Sequence, residues 1–152
     1  MSNELKKELW DNITEQGFVM VGLSQTDQHS EPMHAHVDKS KPHSLWIYTT
    51  KDNRVATGGK SMIQFVSKGH DLFACMLGQL SEESDTSLID KFWSSGVEAW
   101  YENGKEDDSL LMMRFDLNNA EIWTQDASIT GKIKLATGAT VEPEDLGEHA
   151  VV

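Results

Sequence analysis

Hydrophobic spacing changes period several times along the chain, and each change marks an element. Leu5, Leu9, Trp10 and Ile13 recur at helical spacing, which predicts an amphipathic helix over 3–16 with Ser2 as its cap and Gly17 as its stop. Phe18 to Leu23 reads as a first strand. From Met33 to Asp38 the pattern alternates: Met33, Ala35 and Val37 point one way, and His34, His36 and Asp38 the other. Ser44 to Thr50 is aromatic and β-branched, hence a strand. Ser61–Val66 and Asp71–Leu80 read as two more, joined through residues 67–70. A helix capped by Ser84 or Asp85 then carries Leu88, Ile89, Phe92 and Trp93 on one face. Leu110–Leu117 and Ala120–Thr124 read as two final strands about a turn at Asn118-Asn119. The tail, 127–152, is glycine-containing and is expected to be partly extended.

The order is helix, about five strands, helix, two strands, in one domain spanning 1–152. Short turns make consecutive strands antiparallel, and helices that interrupt the strands argue for α+β rather than a doubly wound sheet. Six or seven strands leave open edges unless the sheet closes, so a small barrel is the natural solution.

Composition narrows the setting. No stretch of about 18 apolar residues exists to span a membrane. The start, MSNELKKELWDN, lacks an apolar signal segment. A single cysteine, Cys75, cannot form an internal disulfide, so a reducing, cytoplasmic location is expected. Its neighbours Phe73, Ala74, Met76 and Leu77 predict a buried, unreactive thiol. A net charge of −12 argues against nucleic-acid binding. That charge is unevenly spread. Residues 39–70 hold Lys39, Lys41, Lys51, Arg54, Lys60 and Lys68 against Asp52 alone, a local +5 that leaves −17 elsewhere. Either these are solvated loops or they gather around an anion.

Two constellations carry candidate chemistry. In His34-Ala35-His36-Val37-Asp38, strand alternation puts both imidazoles and the carboxylate on one face, about 7 Å apart stepwise. That face is first of all a polar strand face that meets solvent or lines a pocket, such as a cofactor's; with further ligands it would instead hold the metal of a hydrolase. In Trp46-Ile47-Tyr48-Thr49-Thr50-Lys51-Asp52-Asn53-Arg54, either an ordinary hairpin forms or hydroxyls, backbone N–H groups and cations converge at a strand end, the groups that bind phosphate. Lys60 adds a further cation after Gly58-Gly59, although the first glycine of a P-loop is missing. Of the five tryptophans most are expected to pack, with Trp123, near a strand end, a candidate platform for a flat ligand. No G-x-S-x-G elbow is present and no side chain stands out as a general acid or base.

The run Pro32 to Arg54, PMHAHVDKSKPHSLWIYTTKDNR, resembles the second and third strands of the pyridoxamine 5′-phosphate oxidase-like, flavin-binding split barrels, and more narrowly the general stress protein 26 branch. Phe92-Trp93 and Trp100-Tyr101, the acidic loop NGKEDDSLL, the strand ending AEIW and the tail motif DLGEH agree in order along nearly the whole chain. The resemblance implies a six-stranded antiparallel Greek-key split barrel with flanking helices. It implies a homodimer with flavin, FMN first and FAD second, in clefts between subunits. By position, His34 to Val37 run along the flavin ring. Tyr48, Thr49 and Thr50 contact the ring edge and ribityl chain, Lys51 and Arg54 face the phosphate, and Trp123 reaches the cofactor from the partner. The oxidases carry an Arg-Lys pair after the turn and an arginine opening the second strand, where this chain has Arg54-Val55 and Glu31. Lys60 is the available substitute cation. Pyridoxamine-phosphate oxidase activity is therefore not expected. A stress-related oxidoreductase or flavin carrier is, with the metal-dependent hydrolase and a non-catalytic dimeric binding module as alternatives.

Overall fold

The computed structural model describes residues 2–125, 136–140 and 147–152. Helix α1 (Ser2–Glu15) precedes strands β1 (Phe18–Leu23), β2 (Glu31–Val37), β3 (Ser44–Thr50), β4 (Gly59–Val66) and β5 (Leu72–Glu82). Helices α2 (Thr86–Phe92) and α3 (Ser95–Glu98) and a 3-10 turn (Gly104–Glu106) follow. Strand β6 (Leu110–Thr124) and a short β7 (His149–Val151) complete the sheet. Most of the expected extended tail lies outside the described residues. Among the described residues, no helix is long and apolar enough to cross a membrane.

All strand pairs are antiparallel. The order β3-β2-β1-β4-β5-β6 closes on itself through β3–β6, giving a six-stranded barrel to which β7 adds beside β6. Strand β4 returns to lie beside β1, the order of a Greek key. Inward residues of every strand form one core: Val19 and Val21, Ala35, Leu45 and Ile47, Ile63 and Phe65, Ala74 and Met76, Met113 and Phe115. Helix α1 lays Leu5, Leu9, Trp10 and Ile13 into the same core. It stops at Gly17 because β2 passes there. The Ala35 N–H donates to the Gly17 carbonyl at 2.7 Å, and a Cβ on Gly17 would lie 2.3 Å from the Ala35 oxygen.

The expected turn at Asn118-Asn119 is instead the middle of one continuous 15-residue strand. Pairing with β5 runs Leu77↔Asn119 and then Gly78↔Leu117, so Asn118 is an extra residue in β6, a β-bulge. Before it, the odd positions Leu111, Met113 and Phe115 face the core; after it, the even positions Ala120 and Ile122 do. One inserted residue is what such a change of parity requires. The bulge also changes the neighbour of β6: 110–116 pair with β3, and 121–123 with β7. Gly78 permits the kink, since a Cβ there would sit 2.2 Å from the Asp116 carbonyl oxygen.

Inserting one further residue after Asn118 should, with a single bulge kept, turn Ala120 and Ile122 outward and Glu121 and Trp123 inward, costing ~4 kcal/mol or more. Asn118→Ala, which keeps the count, should cost ~1 kcal/mol or less. Urea unfolding of the two variants checks this; equal stabilities would show that the bulge does not set the register.

Candidate functional site

Alternation along β2 and β3 sends Ala35, Leu45 and Ile47 into the barrel and leaves His34, His36, Trp46 and Tyr48 on its outer face. Part of that face is covered. Asp85 caps α2 by accepting from the Ser87 N–H at 3.0 Å. Leu88 then packs with Trp46 and Met112 into a second buried cluster, flanked by Tyr48, Ile89 and Phe92. Trp93, expected on the helix, stands at its C-terminal cap and is tilted against Tyr101. Three hydrogen bonds fix this cover: Trp46 Nε1 to Glu83 Oε1 (2.9 Å), Tyr48 Oη to the Ile89 carbonyl (2.6 Å), and Tyr101 Oη to the Thr49 carbonyl (2.6 Å).

Beside this cover the rings form a continuous row. Phe18 meets His34 edge-on at 5.2 Å between centroids, His34 meets His36 at 4.7 Å, and His36 meets Tyr48 at 5.2 Å and Phe92 at 5.5 Å. His34 Nδ1 and His36 Nε2 are 3.4 Å apart, so one ring can donate to the other. Burial, and secondarily the neighbouring His34, push His36 down to about 4. Burial also lowers His34. Both imidazoles are thus neutral at pH 7, each with one donor and one acceptor nitrogen. The Tyr48 hydroxyl is pushed up by burial, then by Tyr101 and Asp90, and stays protonated.

Asp38 does not join the two histidines. Its carboxylate receives Lys91 Nζ at 2.5 Å and the Ser40 hydroxyl at 2.7 Å, and these contacts hold its pKa far below the usual carboxylate range. The Lys91 contact ties α2 to the end of β2. Among the described residues, no group of three or more His, Cys, Asp or Glu side chains is placed to hold a metal. The carboxylate that the hydrolase reading requires is committed to a cation.

The strand-end constellation lies at the barrel rim. Gln28, His29, Glu31, Thr50, Asp52, Asn53 and Arg54 line an open polar cleft of about 660 Å³. Val55 sets the geometry: it is fully buried in the core, which turns Arg54 outward and leaves no room there for a lysine. Asn53 Oδ1 accepts from the Val55 N–H at 2.9 Å and holds the turn. Arg54 donates from Nη1 to the His29 carbonyl at 2.9 Å, and its Nε lies 3.3 Å from Glu31 Oε2. Asn53 Nδ2 donates to the other Glu31 oxygen, Oε1. The Thr50 hydroxyl donates to Asp52 at 2.6 Å.

Not every expected ligand reaches this cleft. Thr49 is buried on the inward side of β3. Lys51 and Lys60 do not line it; Lys51 is exposed on the turn, and Lys60 is exposed on β4 opposite Gln79. Lys39 pairs with Asp11 at 3.4 Å, and Lys41 lies 5.6 Å over the Trp46 ring. The basic island of the sequence therefore disperses, and Arg54 is its one member in the cleft. Sequence reasoning missed Glu31 and Asn53 as cleft residues and Phe18 and Phe92 as members of the ring row. Glu31 was visible only as a departure from the oxidase pattern.

Trp123 stands elsewhere, on the outer face of β6, stacked on His149 at 5.1 Å with the rings 6° from parallel. It belongs to an apolar trough of about 610 Å³ shared with Phe18, Met20, Val66, Phe73 and Cys75. Cys75 was expected in the core, but Ala74 and Met76 take the inward positions and Cys75 faces the trough, half-buried. Burial, then Glu121, raise its thiol pKa. Phe18 is common to the trough and the ring row, so the two sites adjoin.

Known structures share this architecture. A candidate general stress protein 26 from Jannaschia sp. CCS1 superposes with a TM-score of 0.82 at 24% identity, over 99% of this chain and 98% of that one. The general stress FMN/FAD binding protein of Xanthomonas citri is 36% identical, with a TM-score of 0.75 over 84% of this chain and 93% of its own. General stress protein 26 of Bacillus anthracis shares the fold at 18% identity, with a TM-score of 0.66 over 78% of this chain and 93% of that one. No curated protein matches at a significant level of sequence similarity. The sequence model described as pyridoxamine 5′-phosphate oxidase like matches residues 4–144. With the closed six-stranded barrel, this establishes that the chain belongs to the pyridoxamine 5′-phosphate oxidase-like family.

Proposed function

We propose that the chain binds a flavin nucleotide, FMN or FAD, between the subunits of a cytoplasmic homodimer, and acts as a stress-related oxidoreductase or flavin carrier. The observation that carries this reading is the row of neutral rings on β2 and β3 leading to the polar cleft at Arg54. Tyr48 in the row and Thr50 in the cleft are two residues apart on the outer face of β3, about 7 Å along the strand. A ribityl chain spans such a distance between a flat ring and its phosphate. The binding properties named for the Xanthomonas citri relative support the same reading.

The residues fit the ring end well. His34 and His36 offer a donor and an acceptor without charge, and Tyr48, its hydroxyl already bonded, offers a ring edge. At the other end Arg54, Asn53 and Thr50 face the cleft, and Lys51 is exposed on the adjoining turn without lining it. Thr49 contributes through the backbone, its carbonyl held by Tyr101. Lys60 is given no role. A bound flavin supplies the two-electron chemistry that no side chain here provides. The protein's part is to hold the ring flat, keep the nearby imidazoles neutral and exclude water.

The trough supports the dimer. Phe18 is 68% exposed, Val66 48% and Met20, Leu77 and Trp123 just under 40%. Adjoining large apolar groups on one face mark an association surface. The trough lining contains no charged residue in a chain of net charge −12, which favours this face for a second copy; Glu121 beside Cys75 stands at its edge, 3.6 Å from His149. Docking at Phe18, which borders the ring row, is how Trp123 of a second copy would reach the flavin.

Two outcomes are expected. Arg54→Ala should weaken FMN binding about three- to tenfold and leave riboflavin unchanged; the effect is modest because Arg54 is half-exposed and shared with Glu31. Fluorescence titration reads the FMN-to-riboflavin ratio, and equal loss of both ligands, or of neither, would remove Arg54 from the site. For the dimer, Val66→Asp should yield a monomer in analytical ultracentrifugation, with faster Cys75 alkylation and weaker FMN binding. A flavin-loaded monomer would contradict the reading.

A further inference from the structure

Glu31 occupies the position where a ligand anion would meet Arg54. Its Oε2 lies 3.3 Å from Arg54 Nε, and its Oε1 accepts from Asn53 Nδ2. The side chain is 26% exposed and Arg54 is 39% exposed, so the pair sits at the cleft wall rather than in free solvent. Two donors that could meet a phosphate are thus bonded to a carboxylate of the protein itself. Asp52, held by the Thr50 hydroxyl, adds a second negative charge to the same cleft.

We propose that Glu31 is a specificity-determining residue: a tethered anion on Arg54 that competes with a ligand phosphate and so narrows the preference of the site for FMN or FAD over riboflavin. The inference rests on the flavin-nucleotide reading for the identity of the ligand. At pH 7 the terminal phosphate of FMN carries about −1.5 to −2; the diphosphate of FAD carries about the same total, shared between its two phosphates, and riboflavin carries none. Repulsion by a fixed carboxylate therefore acts on both nucleotides and not on riboflavin. A phosphate also gains less from Arg54, whose guanidinium must first give up Glu31. Selectivity is then set by an unfavourable contact as much as by the favourable one to Arg54.

Glu31→Gln tests this, because glutamine keeps an oxygen for Asn53 and removes the charge. FMN, FAD and riboflavin are titrated into wild type, Glu31→Gln and Glu31→Gln/Arg54→Ala, with thermal unfolding to show that each is folded. FMN and FAD affinity should each rise about tenfold in Glu31→Gln, and riboflavin affinity should not change; the gain should shrink to about twofold without Arg54. In parallel, inorganic phosphate is titrated at fixed ionic strength while the Arg54 Nε resonance is followed. The apparent phosphate affinity should rise several-fold in Glu31→Gln. If flavins bind but FMN and riboflavin respond alike, Glu31 has no such role and the flavin reading survives. If no flavin binds either protein but phosphate still gains at Arg54, the flavin reading falls and the role of Glu31 as a tethered anion stands.

Discussion

Seven residue pairs join Ser44–Thr50 to Leu110–Asp116, and this ladder turns an open sheet into a barrel. It places Leu45–Ile47 of β3 between two hydrogen-bonded neighbours, while Tyr48–Thr50 pair with β6 alone. Leu45 and Ile47 on its inner side meet Met113 and Phe115 in the main core. On its outer side Trp46 and Met112 create the surface that α2 covers. The site depends on that closure. Tyr48 is held by an oxygen of α2, His36 stands beside Phe92 of α2, and the turn after Thr50 is anchored by Val55 in the core. Opening the β3–β6 seam would release all of these together.

The bulge at Asn118 lets one strand serve two purposes. Up to Leu117, β6 closes the barrel against β3; beyond Asn119 it offers its edge to β7. The same shift aims Trp123 outward into the trough while Ile122 fills the core. The device that completes the core therefore also supplies Trp123 to the apolar face that supports the proposed dimer. Gly78 across the ladder makes room for it.

Much of this was legible in the sequence. Helical spacing gave α1 to within a residue or two, and alternation separated the inward and outward residues of β2 and β3. The break in β6 was misread because two asparagines are good turn formers. The contrary signal was present: apolar residues at odd positions through Phe115 and at even positions from Ala120 describe one strand with an extra residue. Cys75 was misplaced because an apolar neighbourhood does not say which face is the core; Phe73 and Leu77 share its outward parity. The basic island misled for a different reason. Local charge along a chain reports nothing about side-chain direction, and Lys39, Lys41 and Lys60 point to three different surroundings. Glu31 and Arg54 are 23 positions apart, and only the fold brings them together.

A flat ligand on the outer face of β2 and β3 is the claim on which the functional account turns. The imidazole resonances of His34 and His36, followed by NMR as FMN is added, address it without relying on turnover. The account predicts that both sets shift and saturate with the flavin fluorescence, while those of His70, exposed on the β4–β5 turn, stay fixed. Saturable flavin binding that leaves His34 and His36 unmoved would place the ligand elsewhere and contradict the account.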